Sequence, residues 1–156
     1  MPDATTTMHL DKGLDNTVIG ESTKSFIDGQ QGVLEYVGID IDDLARHSTF
    51  EEVVFLLWND RLPTSEELAA FESELRAEYG LSDYVLQALA AIPADASPMH
   101  VVRTMVSTLA LEDPDCNDQS YESERRKAVR ALAKTPAIIA GFDGVVAVGG
   151  DGELVL

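Results

Sequence analysis

Residues 49–67 read Thr49-Phe50-Glu51-Glu52-Val53-Val54-Phe55-Leu56-Leu57-Trp58-Asn59-Asp60-Arg61-Leu62-Pro63-Thr64-Ser65-Glu66-Glu67. Twice in this stretch a threonine is followed three residues later by a glutamate, Thr49 by Glu52 and Thr64 by Glu67. At a helix start the hydroxyl accepts from the backbone N–H three residues on, and the carboxylate reaches back to the threonine N–H. Two helix starts are therefore predicted, on either side of Leu62-Pro63. In the first helix Phe50, Val53, Val54 and Leu57 share a face. Phe55, Leu56 and Trp58 fill much of the rest, which predicts a helix buried almost all round. In the second, Leu68, Phe71 and Leu75 form a stripe against Glu66, Glu67, Glu72, Glu74 and Glu78. That pattern predicts a surface helix with one wet face.

Toward the C-terminus the same period continues. Val85, Leu86 and Leu89 mark a third helix that ends at Ile92-Pro93. Ser97-Pro98 fits a cap followed by proline at the first helical position, ahead of Val102, Met105, Val106 and Leu109. A further helix begins near Tyr121 and carries Ala128, Val129, Leu132 and Ala133, with Pro136 expected to kink or interrupt it. Toward the N-terminus, Ser25-Phe26-Ile27 and Val33-Leu34-Glu35-Tyr36 flank the Gly-bounded loop Asp28–Gly32. Two β-type runs around such a loop predict a small antiparallel hairpin. Thr17-Val18-Ile19 is another short β-favouring run. The fold class is mostly α, with helices from residue 40 onward behind a hairpin.

Three regions follow from this reading. Residues 1–12 are polar and aperiodic and read as a mobile leader. Residues 13–142 hold the hairpin and the helices. Residues 143–156 form a Gly/Val-rich tail without helical period, closing on Leu154-Val155-Leu156. An apolar ending of this kind reads as a fold left incomplete.

Composition excludes several classes. With 156 residues and 45% hydrophobic composition, the chain has about one domain's worth of core. No apolar run is long enough for a transmembrane helix, and the start lacks a signal-peptide pattern. Cys116 is the single cysteine, so a disulfide framework and a Cys-rich metal site are ruled out. The cytoplasm is the address these features imply. The net charge of −17 repels nucleic acid and anionic lipid. Only four lysines occur, Lys12, Lys24, Lys127 and Lys134. Dispersed acidity with so little lysine reads as adaptation to a salty, halophilic cytoplasm, where self-repulsion is screened.

Few residues offer chemistry. His9 lies in the leader, His47 just before the Thr49 cap, and His100 in the first turn of a helix. None has a metal or triad spacing, and His47 is placed to close the preceding short helix. Asp42-Asp43 and the cluster Asp113, Asp115, Asp118 lack the Gly and terminal Glu of a calcium loop and read as solvated. Arg125, Arg126, Lys127 and Arg130 are the only basic cluster. They are expected to form a solvated face, pairing with Glu122 and Glu124 or facing an anion. Gly149-Gly150-Asp151-Gly152 does not link a strand to a helix, as a phosphate cradle would. Cys116, in an Asp-rich loop, has little help toward a thiolate.

Several ordered stretches resemble the N-terminal region of citrate synthases. Gly13–Ser22 resembles the opening strand, and Phe26–Tyr36 the hairpin. Asp40-Ile41-Asp42-Asp43-Leu44-Ala45-Arg46-His47-Ser48-Thr49-Phe50-Glu51-Glu52-Val53 is similar to the segment that follows it. Leu56–Thr64, Ser97–Ser107 and Ala131–Ala140 continue the match in order, from about residue 13 to 142. There are departures: Val37-Gly38 stands where the family has Arg-Gly, Ser97 where it has His, and Gly144–Gly152 where it has a basic helix.

The resemblance implies a mostly helical dimer that condenses acetyl-CoA with oxaloacetate to citrate, the entry to the tricarboxylic acid cycle. 2-Methylcitrate synthase is the nearest relative, and this region does not separate the two. Family members use a carboxylate base, two histidines and substrate-binding arginines. All of these lie further along the family's chain than residue 142, so no catalytic, substrate-binding or metal residue carries over to this sequence. No resident cofactor is implied, acetyl-CoA being a substrate. This chain alone is expected to be inactive, and a non-enzymatic helical interaction protein that keeps the scaffold is the alternative. The helix at residues 98–111 matches a dimer-interface helix. Met99, Val102, Met105, Val106 and Leu109 are its expected association face, joining two copies or engaging a partner.

Overall fold

The computed structural model describes residues 22–143, with the backbone of Ala147–Val148 and Leu154–Val155. The leader, Thr17-Val18-Ile19, His9 and the Gly149–Gly152 run lie outside the described residues. The chain divides into two compact units after Pro63.

In the first unit, strands β1 (Ser25–Asp28) and β2 (Val33–Tyr36) pair antiparallel, with Ser25 opposite Tyr36 and Asp28 opposite Val33. The predicted hairpin is present. Asp28 organises its turn by accepting from the backbone N–H groups of Gln30 and Gln31, at 2.9 and 3.0 Å. A third strand, β3 (Ile39–Asp40), pairs with β2 and was not foreseen. The two-residue turn between them places Val37 at φ 52° and Gly38 at φ 76°. Two successive positive φ values are those of a type I′ hairpin turn, which matches the natural strand twist and favours Asn-Gly. Gly38 suits it; a β-branched valine does not.

Helix α1 (Ile41–His47) is capped by Asp40, whose carboxylate accepts from Asp42 N at 2.8 Å. Asp42 and Asp43 sit at its positive end and Arg46 and His47 at its negative end. Helix α2 (Phe50–Asn59) starts at the predicted box: Glu52 N donates to Thr49 Oγ1 at 3.2 Å, and Thr49 N to Glu52 Oε2 at 2.7 Å. It stops where Asp60 takes the left-handed conformation. The expectation of burial all round is corrected. Only Leu56 is fully buried, and Phe50 is 62% exposed. Apolar content sets what a helix could bury, whereas burial needs neighbouring side chains in contact with each face.

The second unit holds α3 (Ser65–Ala77), α4 (Asp83–Ala90), α5 (Pro98–Leu109) and α6 (Tyr121–Phe142). Its core is Val85, Leu89, Val101, Met105 and Ile138. Helix α3 begins at the second predicted box, Thr64 with Glu67, and buries Phe71 and Leu75 from the predicted stripe. Ser97 caps α5 by position with Pro98 following, but its side chain makes no capping bond. Helix α6 packs against α3, α4 and α5. It runs unbroken through Pro136, so the expected interruption does not occur. Gly141 eases the close approach of α6 to α4, since a Cβ there would lie 2.8 Å from Leu89 Cδ2 and push that side chain aside.

Met105 also corrects the expected association face of α5. It is 1% exposed and packs with Val101 inside the core, whereas Met99 is 71% exposed. Truncating a core methionine to alanine costs about 2–5 kcal/mol. Beyond α6, Ala147–Val148 and Leu154–Val155 pair as a two-stranded antiparallel ladder.

The strained turn gives a direct test. Val37→Asn places a residue that tolerates φ > 0 at the same position. It should stabilise the chain by about 1 kcal/mol, raising the midpoint of thermal unfolding by roughly 3 °C. Circular dichroism melts of both proteins measure this, and an unchanged or lowered midpoint contradicts it.

Candidate functional site

The densest polar constellation joins the loop after α5 to the first turns of α6. The sequence order suggests two separate solvated groups, the acidic residues of the loop and the basic residues of the helix. The structure brings them together instead. Arg130 donates from Nε to Asp113 Oδ2 at 2.9 Å, and from Nη2 to Asp113 Oδ1 at 2.7 Å and Asp115 Oδ2 at 2.6 Å. Arg126 holds Asp115 with two bonds of 2.9 and 2.7 Å. Arg125 forms a two-pronged pair with Glu74 of α3, one prong at 2.7 Å. Lys127 donates to the Asp118 carbonyl and to Glu124, both at 2.7 Å. Of the sequence-based pairings, only Lys127 with Glu124 is local.

Local chemistry fixes this arrangement. Arg126 and Arg130 are four apart, so they emerge on the same side of α6. Asp118 accepts from the backbone N–H and the hydroxyl of Ser120, and Ser120 in turn caps α6 by accepting from Ser123 N. Ser123 is completely buried and donates toward the Asp118 and Asp115 carbonyls at 3.2 and 3.4 Å. Ser82 works similarly: its hydroxyl accepts from Val85 N at the start of α4 and donates to Glu112 at 2.6 Å. Neither cap has a glutamate at the third helical position, so the sequence signal used for Thr49 and Thr64 passes over them.

The Arg130 and Asp113 side chains are only 16% and 13% exposed, so this pair is shielded from water. Hydrogen bonds from Arg126 first, then Arg130, hold the Asp115 carboxyl far below the ordinary range. The Arg125 bond lowers Glu74, and the backbone bond from Ser120 lowers Asp118. Burial works against the Arg130 charge, but Asp113 and Asp115 outweigh it and raise its pKa.

Beside the network lies a cleft of about 390 Å³ between α5, the loop and α6. Val106, Leu109 and Ala131 supply its apolar lining, and Lys127, Arg130, Lys134, Glu112 and Asp113 its charges. The exposed Cys116 thiol is in its wall. Lys134 donates to the Gly80 carbonyl at 2.6 Å. The cations of this face therefore hold protein acceptors, which is the work of a structural clamp. His47 and His100 are exposed and lie on different helices. Among the described residues no three His, Cys, Asp or Glu side chains converge as a metal site requires. Nor is any described helix long and apolar enough to cross a membrane.

Comparison with known proteins decides the family. The family model described as "Citrate synthase, C-terminal domain" matches residues 13–146. The chain belongs to the citrate synthase family. It is 42% identical to the citrate synthase of Haloferax volcanii over 137 residues, covering 85% of this chain and 36% of that protein. It is 40% identical to the 2-methylcitrate synthase of Mycobacterium tuberculosis (strain H37Rv) over 131 residues, covering 84% of this chain and 33% of the relative. A solved citrate synthase from Thermoplasma acidophilum has the same fold, with a TM-score of 0.78 at 24% identity, over 87% of this chain and 36% of that one. The chain thus spans about a third of the length of the citrate synthases it matches.

The clamp makes a pH prediction. Asp115 has a depressed pKa when folded, so its stabilisation is complete above its unfolded value of about 3.9 and is lost as pH falls toward the folded value. Asp115→Asn should therefore melt below the parent at pH 7. The gap should close as the pH is lowered through about 4 and below. Thermal melts of both proteins across that range measure it; a gap that stays constant or widens in acid contradicts the clamp.

Proposed function

We propose that this chain is scaffold from an enzyme that condenses acetyl-CoA with oxaloacetate to give citrate, and that alone it does not turn over. The observation that carries this reading is the combination of match and span: the family model covers residues 13–146, yet the chain covers 36% of the Haloferax relative. The chemistry agrees. Removing a weakly acidic methyl proton needs a positioned base and an electrophile together. Two polyanionic substrates need convergent cations, whereas the basic cluster of α6 is engaged with Glu74, Asp113 and Asp115. The Thermoplasma structure is described as a ternary complex with carboxymethyl coenzyme A and oxaloacetate, which bears on the substrate class. Identities of 42% to a citrate synthase and 40% to a 2-methylcitrate synthase do not separate the two products. Association of two copies through residues 98–111 would have to use Met99, Val102 and Val106, since Met105 belongs to the core.

Purified protein given acetyl-CoA and oxaloacetate should release no thiol above a blank without enzyme. Turnover that persists after host citrate synthase has been removed overturns the reading.

A further inference from the structure

We draw no further inference here: the strongest candidate, the cleft of about 390 Å³ between α5 and α6 with the exposed Cys116 thiol in its wall, belongs to the site already described, its Arg130 and Lys134 being engaged by the chain's own acceptors, and beyond a lone cysteine nothing in it points to a ligand.

Discussion

The second unit depends on α6 burying Val129, Ala133 and Ile138 while touching α3, α4 and α5. A helix that serves three neighbours must begin at a fixed residue and continue unbroken past each of them. Its beginning is set by Ser120 and by a loop folded back onto its first turns. Its length survives Pro136 because that residue is exposed, with Ala133 and Ile138 buried on either side of it. Gly141 then lets the last turn come down onto Leu89.

The ion pairs of the clamp serve geometry more than energy. Exposed pairs such as Lys24 with Asp60 contribute little because water and salt screen them. The shielded pair Arg130–Asp113 is different: dehydrating two charges is costly, and the attraction offsets that cost only with good hydrogen-bond geometry. Here the geometry is two-pronged, and a second carboxylate from Asp115 satisfies more of the guanidinium. Removing one partner would strand a shielded charge, so the loop is held in one register.

Local signals in the sequence were the reliable ones. Thr49 with Glu52 and Thr64 with Glu67 start helices because a capping box needs only residues three apart. The β1–β2 hairpin was legible from its two β-type runs around the Gly-bounded loop, which Asp28 ties down. Strand β3 was not, since two residues after a Val-Gly turn carry no pattern of their own. The burial of α2 is not legible, because apolar content states what could be covered, not what covers it. The side of Met105 is hidden for the complementary reason: α5 has apolar residues on more than one side, and only the position of α4 and α6 decides that Val101 and Met105 face inward. The clamp escaped because Asp113 and Asp115 reach Arg126 and Arg130 only once the intervening loop has turned back. The sequence signals placed no site residue in this stretch. The arginines that invite an anion site are engaged by the chain itself.

The turned-back loop also orders the steps of assembly. Its pairs close segments of 11 to 17 residues, whereas the Arg125–Glu74 pair spans 51. Entropy lost on closing a chain grows with the logarithm of the segment, so the shorter loops cost less to form. On that ground, closing the loop between α5 and α6 costs less entropy than docking α3 on α6. Within the second unit, a nascent chain that has emerged only as far as α5 still lacks the helix that packs against α3, α4 and α5. The complete packing of the second unit waits for the synthesis of α6.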